Sequence, residues 1–107
     1  LHCYTGGAEL ARRAAALGAY FSASGIITFK KADDVRAVFQ DIVPEDRVIV
    51  ETDCPYLAPV PHRGKRNEPS YLPYVIETLS EIKGWSVDEG AERTTRAALT
   101  LFDRIRP

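Results

Sequence analysis

The fold of this chain is decided at residues 48–59, which read Val48-Ile49-Val50-Glu51-Thr52-Asp53-Cys54-Pro55-Tyr56-Leu57-Ala58-Pro59. The β-branched residues that open this stretch predict a short strand buried on both faces. Glu51 and Asp53 follow it two residues apart, so a regular strand projects both to one face. Carboxylates where a parallel strand ends are candidates for metal binding or acid–base chemistry. The alternative interpretation is a capped strand end with a turn aspartate.

Two further strands are predicted upstream, each followed by a helix. Residues 1–4 are typical of the end of a strand, and residues 20–24 of a short strand. The first helix is predicted over residues 8–17, with Leu10, Ala14 and Leu17 on its inward face. The second helix is predicted to begin near Asp33 and to bury Val35, Val38, Phe39 and Ile42. This alternation predicts parallel strands joined by right-handed crossovers.

The second half of the chain is predicted to be helical after a proline-rich loop at residues 55–69. Residues 67–69 are interpreted as a turn and helix start. A strong amphipathic pattern begins at Leu72 and ends at Gly84. Ser86 and Glu89 have capping-box spacing and predict a last helix. Gly90 is expected to interrupt that helix and Thr94-Thr95 to restart it, with Leu99, Phe102 and Ile105 facing inward.

Length and composition limit what the chain can be. The chain has 107 residues and a net charge of −1, which fit one domain at most and exclude a general polycation. No stretch approaches the roughly 18 apolar residues of a membrane helix, so no membrane partner is expected. Cys3 and Cys54 are predicted to be free thiols. The chain contains no methionine and begins at Leu1, which indicates a piece of something longer. Three parallel strands are also few for a closed architecture, which favours part of a larger α/β fold.

The chemistry-bearing residues are predicted to meet where the strands end. His2 and Asp53 end the first and third predicted strands, and in a (β/α)₈ barrel such positions converge. A neutral imidazole and a carboxylate can share a divalent metal, whereas the alternative for His2 is a partly buried histidine with one hydrogen bond. Ser24, at the end of the second predicted strand, either lines the same pocket or packs as a small residue.

Two other groups of residues were considered as binding groups. Cys3 and Cys54 each adjoin a candidate ligand, but no close C-x-x-C pair supports a zinc site. The basic run His62-Arg63-Gly64-Lys65-Arg66 lies in the proline-rich loop. Arg63, Lys65 and Arg66 either contact backbone phosphates or form a solvated loop paired with acids such as Glu68.

The sequence resembles the C-terminal portion of the TatD family of metal-dependent deoxyribonucleases across nearly its whole length. Four stretches carry the resemblance: His2-Cys3-Tyr4-Thr5-Gly6, Ser24-Gly25-Ile26-Ile27-Thr28-Phe29-Lys30, Glu51-Thr52-Asp53-Cys54-Pro55-Tyr56-Leu57-Ala58-Pro59 and Arg63-Gly64-Lys65-Arg66-Asn67-Glu68-Pro69. The resemblance implies a partial TIM (β/α)₈ barrel with three parallel strands, the sixth to eighth, and their helices. Residues 1–107 would then be the C-terminal part of a single hydrolase barrel with no independent domain boundary.

The resemblance also implies an activity. Family members cleave DNA phosphodiester bonds, as 3′-to-5′ exonucleases in characterised members, with Mg²⁺ or another divalent metal such as Mn²⁺ or Zn²⁺. By this likeness His2 and Asp53 are metal ligands, and Asp53 also helps to activate water. From their positions at strand ends, Glu51 and Ser24 are expected to line or support the pocket. The family's N-terminal His-x-His pair, bridging Glu and fifth-strand His have no counterpart here. Ala97 stands where the family usually has Asn.

The expected function is therefore a cytoplasmic, metal-dependent deoxyribonuclease of which this chain is a fragment, inactive by itself because His2 and Asp53 are too few ligands. A related barrel that hydrolyses an amide or ester is one alternative, since such barrels share ligands across chemistries. A non-catalytic incomplete domain is the other. The expected partners are a DNA substrate and either the N-terminal part of the same barrel or a second copy, because raw strand edges favour association.

Overall fold

The structure, a computed structural model, describes residues 1–102 of the chain. Its strands are β1 (Phe21–Ala23) and β2 (Val48–Val50), and its α-helices are α1 (Ala8–Ala16), α2 (Asp33–Asp41), α3 (Leu72–Lys83) and α4 (Val87–Leu101). Short 3₁₀ helices lie at Gly25–Thr28 and Pro69–Tyr71.

The two strands are parallel, and Phe21 is in register with Val48. Residues 1–4 run beside β1, where Tyr4 N donates to Ser22 O at 3.0 Å and Ser22 N donates to Leu1 O at 2.9 Å. They do not form a strand, because Cys3 has a φ of +44° and turns the segment away from an extended course. The prediction of three parallel strands, the sixth to eighth of a barrel, is therefore wrong for the described residues, which hold two.

The core lies between the sheet and the helices. Its largest fully buried side chains are Phe21, Phe39, Ile27, Leu79, Val48 and Val75. Tyr4 packs edge-on against Phe21 with ring centroids 5.1 Å apart. Val38 and Phe39 are buried as their spacing predicts, while Val35 and Ile42 are partly buried against the same core. Asp33 is the first residue of α2 and follows the N-cap Ala32.

The first helix faces the core with a different side from the one predicted. Leu10 and Leu17 are 56% and 88% exposed, whereas Ala11 is completely buried. Ala8, Ala14 and Ala15 are partly buried against the core. The alanines allow α1 to approach the core closely, so the larger leucines are left on its outer side.

The last two helices end and begin where the sequence predicts. Gly84 terminates α3 with a φ of +74°, and the Ser86 hydroxyl accepts a hydrogen bond from Glu89 N at 3.1 Å. The predicted interruption at Gly90 is wrong, because α4 is continuous from Val87 to Leu101. Phe102 is 51% exposed and does not face inward, and Ile105 lies outside the described residues.

One side of the described residues carries an open apolar groove of about 420 Å³ between β2, α3 and α4. Its apolar lining includes Ile49, Val50, Leu72, Ile76, Leu99 and Phe102. This surface is called the apolar groove below. None of the helices in residues 1–102 has the length and apolar character needed to cross a bilayer.

Candidate metal centre

Three side chains from two distant parts of the sequence converge beyond the C-terminal end of β2. His2 Nδ1 lies 2.8 Å from Glu51 Oε1, and His2 Nε2 lies 3.3 Å from Asp53 Oδ1. The imidazole thus presents each ring nitrogen to a carboxylate. One potential ligand atom from each residue lies within 4.8 Å of the others, which is compact enough to hold one cation.

Backbone hydrogen bonds place Glu51. Its N–H donates to Ala23 O at 2.9 Å and continues the parallel ladder one residue past β2. Its carboxylate oxygen Oε2 accepts a hydrogen bond from Cys3 N at 2.9 Å. The segment that carries His2 is therefore tied to the carboxylate of Glu51.

Two carboxylate oxygens of this cluster are buried without a hydrogen-bond partner among the described residues. They are Glu51 Oε1 and Asp53 Oδ2. Glu51 Oε1 is near His2 Nδ1 but lacks hydrogen-bond geometry with it. A buried carboxylate oxygen left unpaired is costly, and a cation removes that cost. The side chain of His2 is 75% exposed, so the cluster is open to solvent on that side.

The cysteines lie beside the cluster without joining it. Both are free thiols, as predicted. Cys3 Sγ contacts Ser24 Oγ at 3.2 Å, and Cys54 Sγ contacts Thr52 Oγ1 at 2.7 Å. Burial raises the pKa of the Cys3 thiol, and the carboxylates of Asp53 and Glu51 raise it further, against a lowering by the Ser24 hydroxyl. Neither thiol is among the three grouped ligands of the described residues, which leaves a zinc site with cysteine ligands without support.

The hydrogen bonds of Ser24 stabilise the local structure. Its side chain is buried and accepts a hydrogen bond from Ile26 N at 3.4 Å, which caps the 3₁₀ helix at Gly25–Thr28. Its other contact is the Cys3 thiol. Ser24 is therefore adjacent to the segment that carries His2, and its role in lining a substrate pocket stays a prediction.

The basic loop, residues 62–66, is anchored at its N-terminal end. His62 stacks on Tyr71 with ring centroids 4.0 Å apart, and Val60 N donates to Thr28 Oγ1 at 2.8 Å. The Arg63 guanidinium lies over the Phe29 ring at 4.0 Å from its centroid, so this residue already has a partner. Lys65 and Arg66 are exposed. Arg63 is exposed as well, so the loop presents all three predicted phosphate contacts to solvent, and Arg63 differs from the other two by its contact with Phe29.

Comparison with known proteins identifies the relatives of this chain. The profile of the family described as "TatD related DNase" matches residues 1–103. The chain belongs to the TatD family.

Two curated relatives are similar to almost the whole chain. The uncharacterized metal-dependent hydrolase YabD of Bacillus subtilis is 48% identical over 95% of this chain and 40% of its own length. The uncharacterized metal-dependent hydrolase YcfH of Escherichia coli K12 is 48% identical over 95% of this chain and 38% of its own length. The chain thus spans about two fifths of the length of these relatives.

The fold is also similar to a solved TatD structure. The crystal structure of YJJV, a TatD homologue from Escherichia coli K12, matches with a TM-score of 0.87 and 28% identity. The match covers 98% of this chain and 40% of that protein. The described α/β arrangement is therefore a TatD arrangement.

These comparisons correct the sequence-based assignment to a C-terminal portion. The family match begins at residue 1 and runs to residue 103, and the relatives are matched along 95% of the chain. They establish a TatD region at residues 1–103 and do not support its placement as a C-terminal portion.

The structure groups Glu51 with His2 and Asp53. The sequence predicts Glu51 as a candidate carboxylate beside Asp53 and as a residue that lines or supports the pocket, and its role at the site stays a prediction. The available signal was the position of Glu51 two residues before Asp53, which predicts a shared face. The structure brings His2, Glu51 and Asp53 together and leaves Lys65 and Arg66 on a separate exposed loop.

Proposed function

We propose that this TatD region provides part of the metal centre of a hydrolase that cleaves phosphodiester bonds in DNA. The observation that carries the proposal is the convergence of His2, Glu51 and Asp53 around two buried, unpartnered carboxylate oxygens. The family description and the names of the relatives support the same chemistry, since they read "DNase" and "metal-dependent hydrolase".

The donor set fits a divalent cation. Carboxylate oxygens are the ligands that Mg²⁺ prefers, and the imidazole nitrogen makes Mn²⁺ or Zn²⁺ suitable as well. His2 would bind through its neutral ring, and Glu51 and Asp53 through the oxygens that lack partners. When bound, such a cation stabilises charge on a phosphoryl oxygen and makes water a better nucleophile.

Other steps of hydrolysis would be carried out by side chains of this chain, each with a separate role. With Oδ2 of Asp53 on the cation, its other oxygen, Oδ1, which lies 3.3 Å from His2 Nε2, would orient water and accept its proton. Glu51 Oε2 is occupied by Cys3 N, which makes Glu51 a holding rather than a proton-accepting group. Lys65 and Arg66 would attract the nucleic-acid backbone through charge.

Three side chains do not complete a coordination sphere. Mg²⁺ takes six ligands and usually keeps several waters, so the other ligands must come from water, substrate or other parts of a protein that carries this region. We therefore expect low turnover from the 107-residue chain alone, and full activity only where those groups are present. The chain's share of its relatives, about two fifths, agrees with that expectation.

Hydrolysis of end-labelled DNA tests the proposal. In a protein that carries this region, we expect Mg²⁺- or Mn²⁺-dependent release of nucleotides, abolished by EDTA and reduced at least about 100-fold by Asp53→Asn. Asp46→Asn removes an exposed carboxylate outside the cluster and serves as the matched control. A 3′-to-5′ order of release would establish exonuclease polarity.

Other substrates separate the alternatives. Metal-dependent hydrolysis of amide or ester substrates without cleavage of DNA would contradict the nuclease proposal and favour an acyl hydrolase. Absence of turnover on any of these substrates would favour a binding or assembly role. DNA cleavage that is unchanged in Asp53→Asn would remove the cluster from the mechanism.

A further inference from the structure

Asp53 lies on a turn rather than on the strand that precedes it. The strand β2 ends at Val50, and residues 53–56 form a tight turn closed by a hydrogen bond from Tyr56 N to Asp53 O at 2.7 Å. We call residues 53–56 the ligand turn. Because a turn outside the sheet is not fixed by the sheet's hydrogen bonds, something else must hold the Asp53 carboxylate near His2.

Asn67, which directly follows the basic loop, makes two hydrogen bonds to the ligand turn. Its backbone N–H donates to Pro55 O at 2.9 Å, and its side-chain Nδ2 donates to Tyr56 O, also at 2.9 Å. One residue thus binds two consecutive carbonyls that lie more than ten positions earlier in the chain. Such a long-range pair fixes both the position and the orientation of the turn.

The burial of Asn67 sets it apart from its neighbours. Asn67 is 3% exposed, whereas Arg66 and Glu68 on either side are exposed. Asparagine is seldom fully buried, and a buried amide requires hydrogen bonds. Its position does not serve the following helix, because the N-cap of the 3₁₀ helix at Pro69–Tyr71 is Glu68. The amide is therefore directed at the ligand turn.

The opposite side of the ligand turn rests on Gly25. A Cβ on Gly25 would lie 2.1 Å from Leu57 O, so the backbone that follows the turn touches the first residue of the 3₁₀ helix at Gly25–Thr28 directly. Leu57 itself has a φ of +56°, which redirects the chain there. The ligand turn and the residue after it thus lie between Gly25 and Asn67. Two side chains hydrogen-bond to the backbone of the turn: Thr52 Oγ1 accepts from Cys54 N at 3.4 Å, and Asn67 Nδ2 donates to Tyr56 O from a distant part of the chain.

We infer that Asn67 is a positioning residue of the metal centre, whose side-chain amide fixes the ligand turn and thereby the Asp53 carboxylate relative to His2. This inference rests on the proposed metal site. It links the basic loop to the metal centre, since Asn67 directly follows Lys65 and Arg66 in the chain. The residues that hold metal ligands in place typically change metal affinity by 10–100-fold when they are replaced.

The test compares Asn67→Ala with Asn67→Ser, which keeps a shorter donor, and with Glu68→Ala, an exposed neighbour. Two quantities are measured: Mn²⁺ affinity of each variant, from the electron paramagnetic resonance signal of free Mn²⁺, and hydrogen exchange of the Tyr56 amide by NMR. We expect Asn67→Ala to weaken Mn²⁺ binding about tenfold or more and to accelerate Tyr56 exchange. Asn67→Ser should recover part of both, and Glu68→Ala should match wild type.

The outcomes separate this inference from the proposed function. Mn²⁺ affinity equal to wild type in Asn67→Ala overturns the positioning role, whatever happens to the melting temperature, and leaves the metal site standing. A parallel loss of exchange protection across core amides such as Val43 also overturns it, because Asn67 would then support the whole fold. Failure of the wild type to bind Mn²⁺ overturns both the metal site and this inference.

Discussion

Ser80 Oγ occupies the space that a side chain at position 90 would need. A Cβ placed on Gly90 would lie 1.8 Å from this oxygen and 3.1 Å from Ser80 Cβ. Helices α3 and α4 therefore touch at a point where only glycine fits, and Gly90 is retained inside a continuous helix because of this contact rather than to interrupt it.

The Gly90→Ala variant is expected to be less stable by about 1 kcal/mol, because overpacking costs about 1–3 kcal/mol and improved helix propensity returns about 1 kcal/mol. Urea unfolding followed by circular dichroism measures the difference. Adding Ser80→Ala should recover most of the loss, since it removes the clashing oxygen. Gly7→Ala is the control, because nothing lies within 4 Å of the added Cβ there. Equal stability of Gly90→Ala and wild type would contradict the close contact.

Metal binding is expected to stabilise the fold through His2. A ligand that binds only the folded state at 100 times its Kd adds about 2.7 kcal/mol, so saturating Mn²⁺ should raise Tm and EDTA should reverse the rise. His2→Ala should lose most of this shift. His62→Ala removes the other histidine, which stacks on Tyr71 away from the cluster, and should retain the shift even where its own Tm is lower. An equal metal-induced shift in His2→Ala would exclude His2 as a ligand.

The salt dependence of DNA binding should distinguish the three cations of the basic loop. Each phosphate contact to a single strand contributes about 0.7 to the slope of log K against log salt concentration. Lys65→Gln and Arg66→Gln should each lower the slope by about that amount. Arg63→Gln should change it less, because its guanidinium lies on Phe29. Fluorescence anisotropy of a labelled single-stranded oligonucleotide measures the slopes, and identical slopes for all variants would remove the loop from DNA binding.

Self-association of the 107-residue chain is expected through the apolar groove. The apolar groove exposes contiguous apolar side chains to solvent, and such surfaces favour association, as do unpaired strand edges. Sedimentation velocity should show oligomers at high concentration, and Leu99→Glu should shift the population toward monomer. Leu17→Glu places the same charge on a leucine outside the groove, which is 88% exposed, and should leave the distribution unchanged. A wild-type monomer at all concentrations would contradict the prediction.

Lys83 should make stability rise with pH in the alkaline range. Burial lowers the pKa of Lys83, against opposing effects of Glu45 and Asp41. Between that lowered pKa and the ordinary lysine value, the unfolded chain binds more protons than the folded one, so the free energy of unfolding increases with pH. Comparing urea unfolding of wild type and Lys83→Met across this range isolates the effect. A difference between the two that is independent of pH would contradict the lowered pKa.

Local pattern predicted much of this fold. The strand β2 and its two acidic neighbours follow from one β-branched run, and the ends of α3 and the cap of α4 follow from Gly84 and Ser86. These features depend on neighbours within a few residues, which a sequence displays directly. Asp53 was identified as a candidate ligand for the same reason.

Long-range contacts account for what the sequence did not reveal. The exposure of Leu17 depends on which side of α1 meets the core, and the continuity of α4 at Gly90 depends on a serine in another helix. The hydrogen bond from Asn67 to the ligand turn likewise joins positions far apart in the chain. A periodic pattern contains no information about such partners, because it reports only spacing along one element.

Because Cys3 N donates a hydrogen bond to Glu51, the Glu51 carboxylate has two roles, and any single substitution of Glu51 affects both. Glu51 both belongs to the group with His2 and Asp53 and anchors the segment that carries His2. At the proposed metal site, replacing Glu51 would remove one ligand and release another, so its effect on affinity would exceed that of losing a single donor. Any substitute at position 51 would have to satisfy a backbone donor as well as the proposed metal, which few side chains of this length can do.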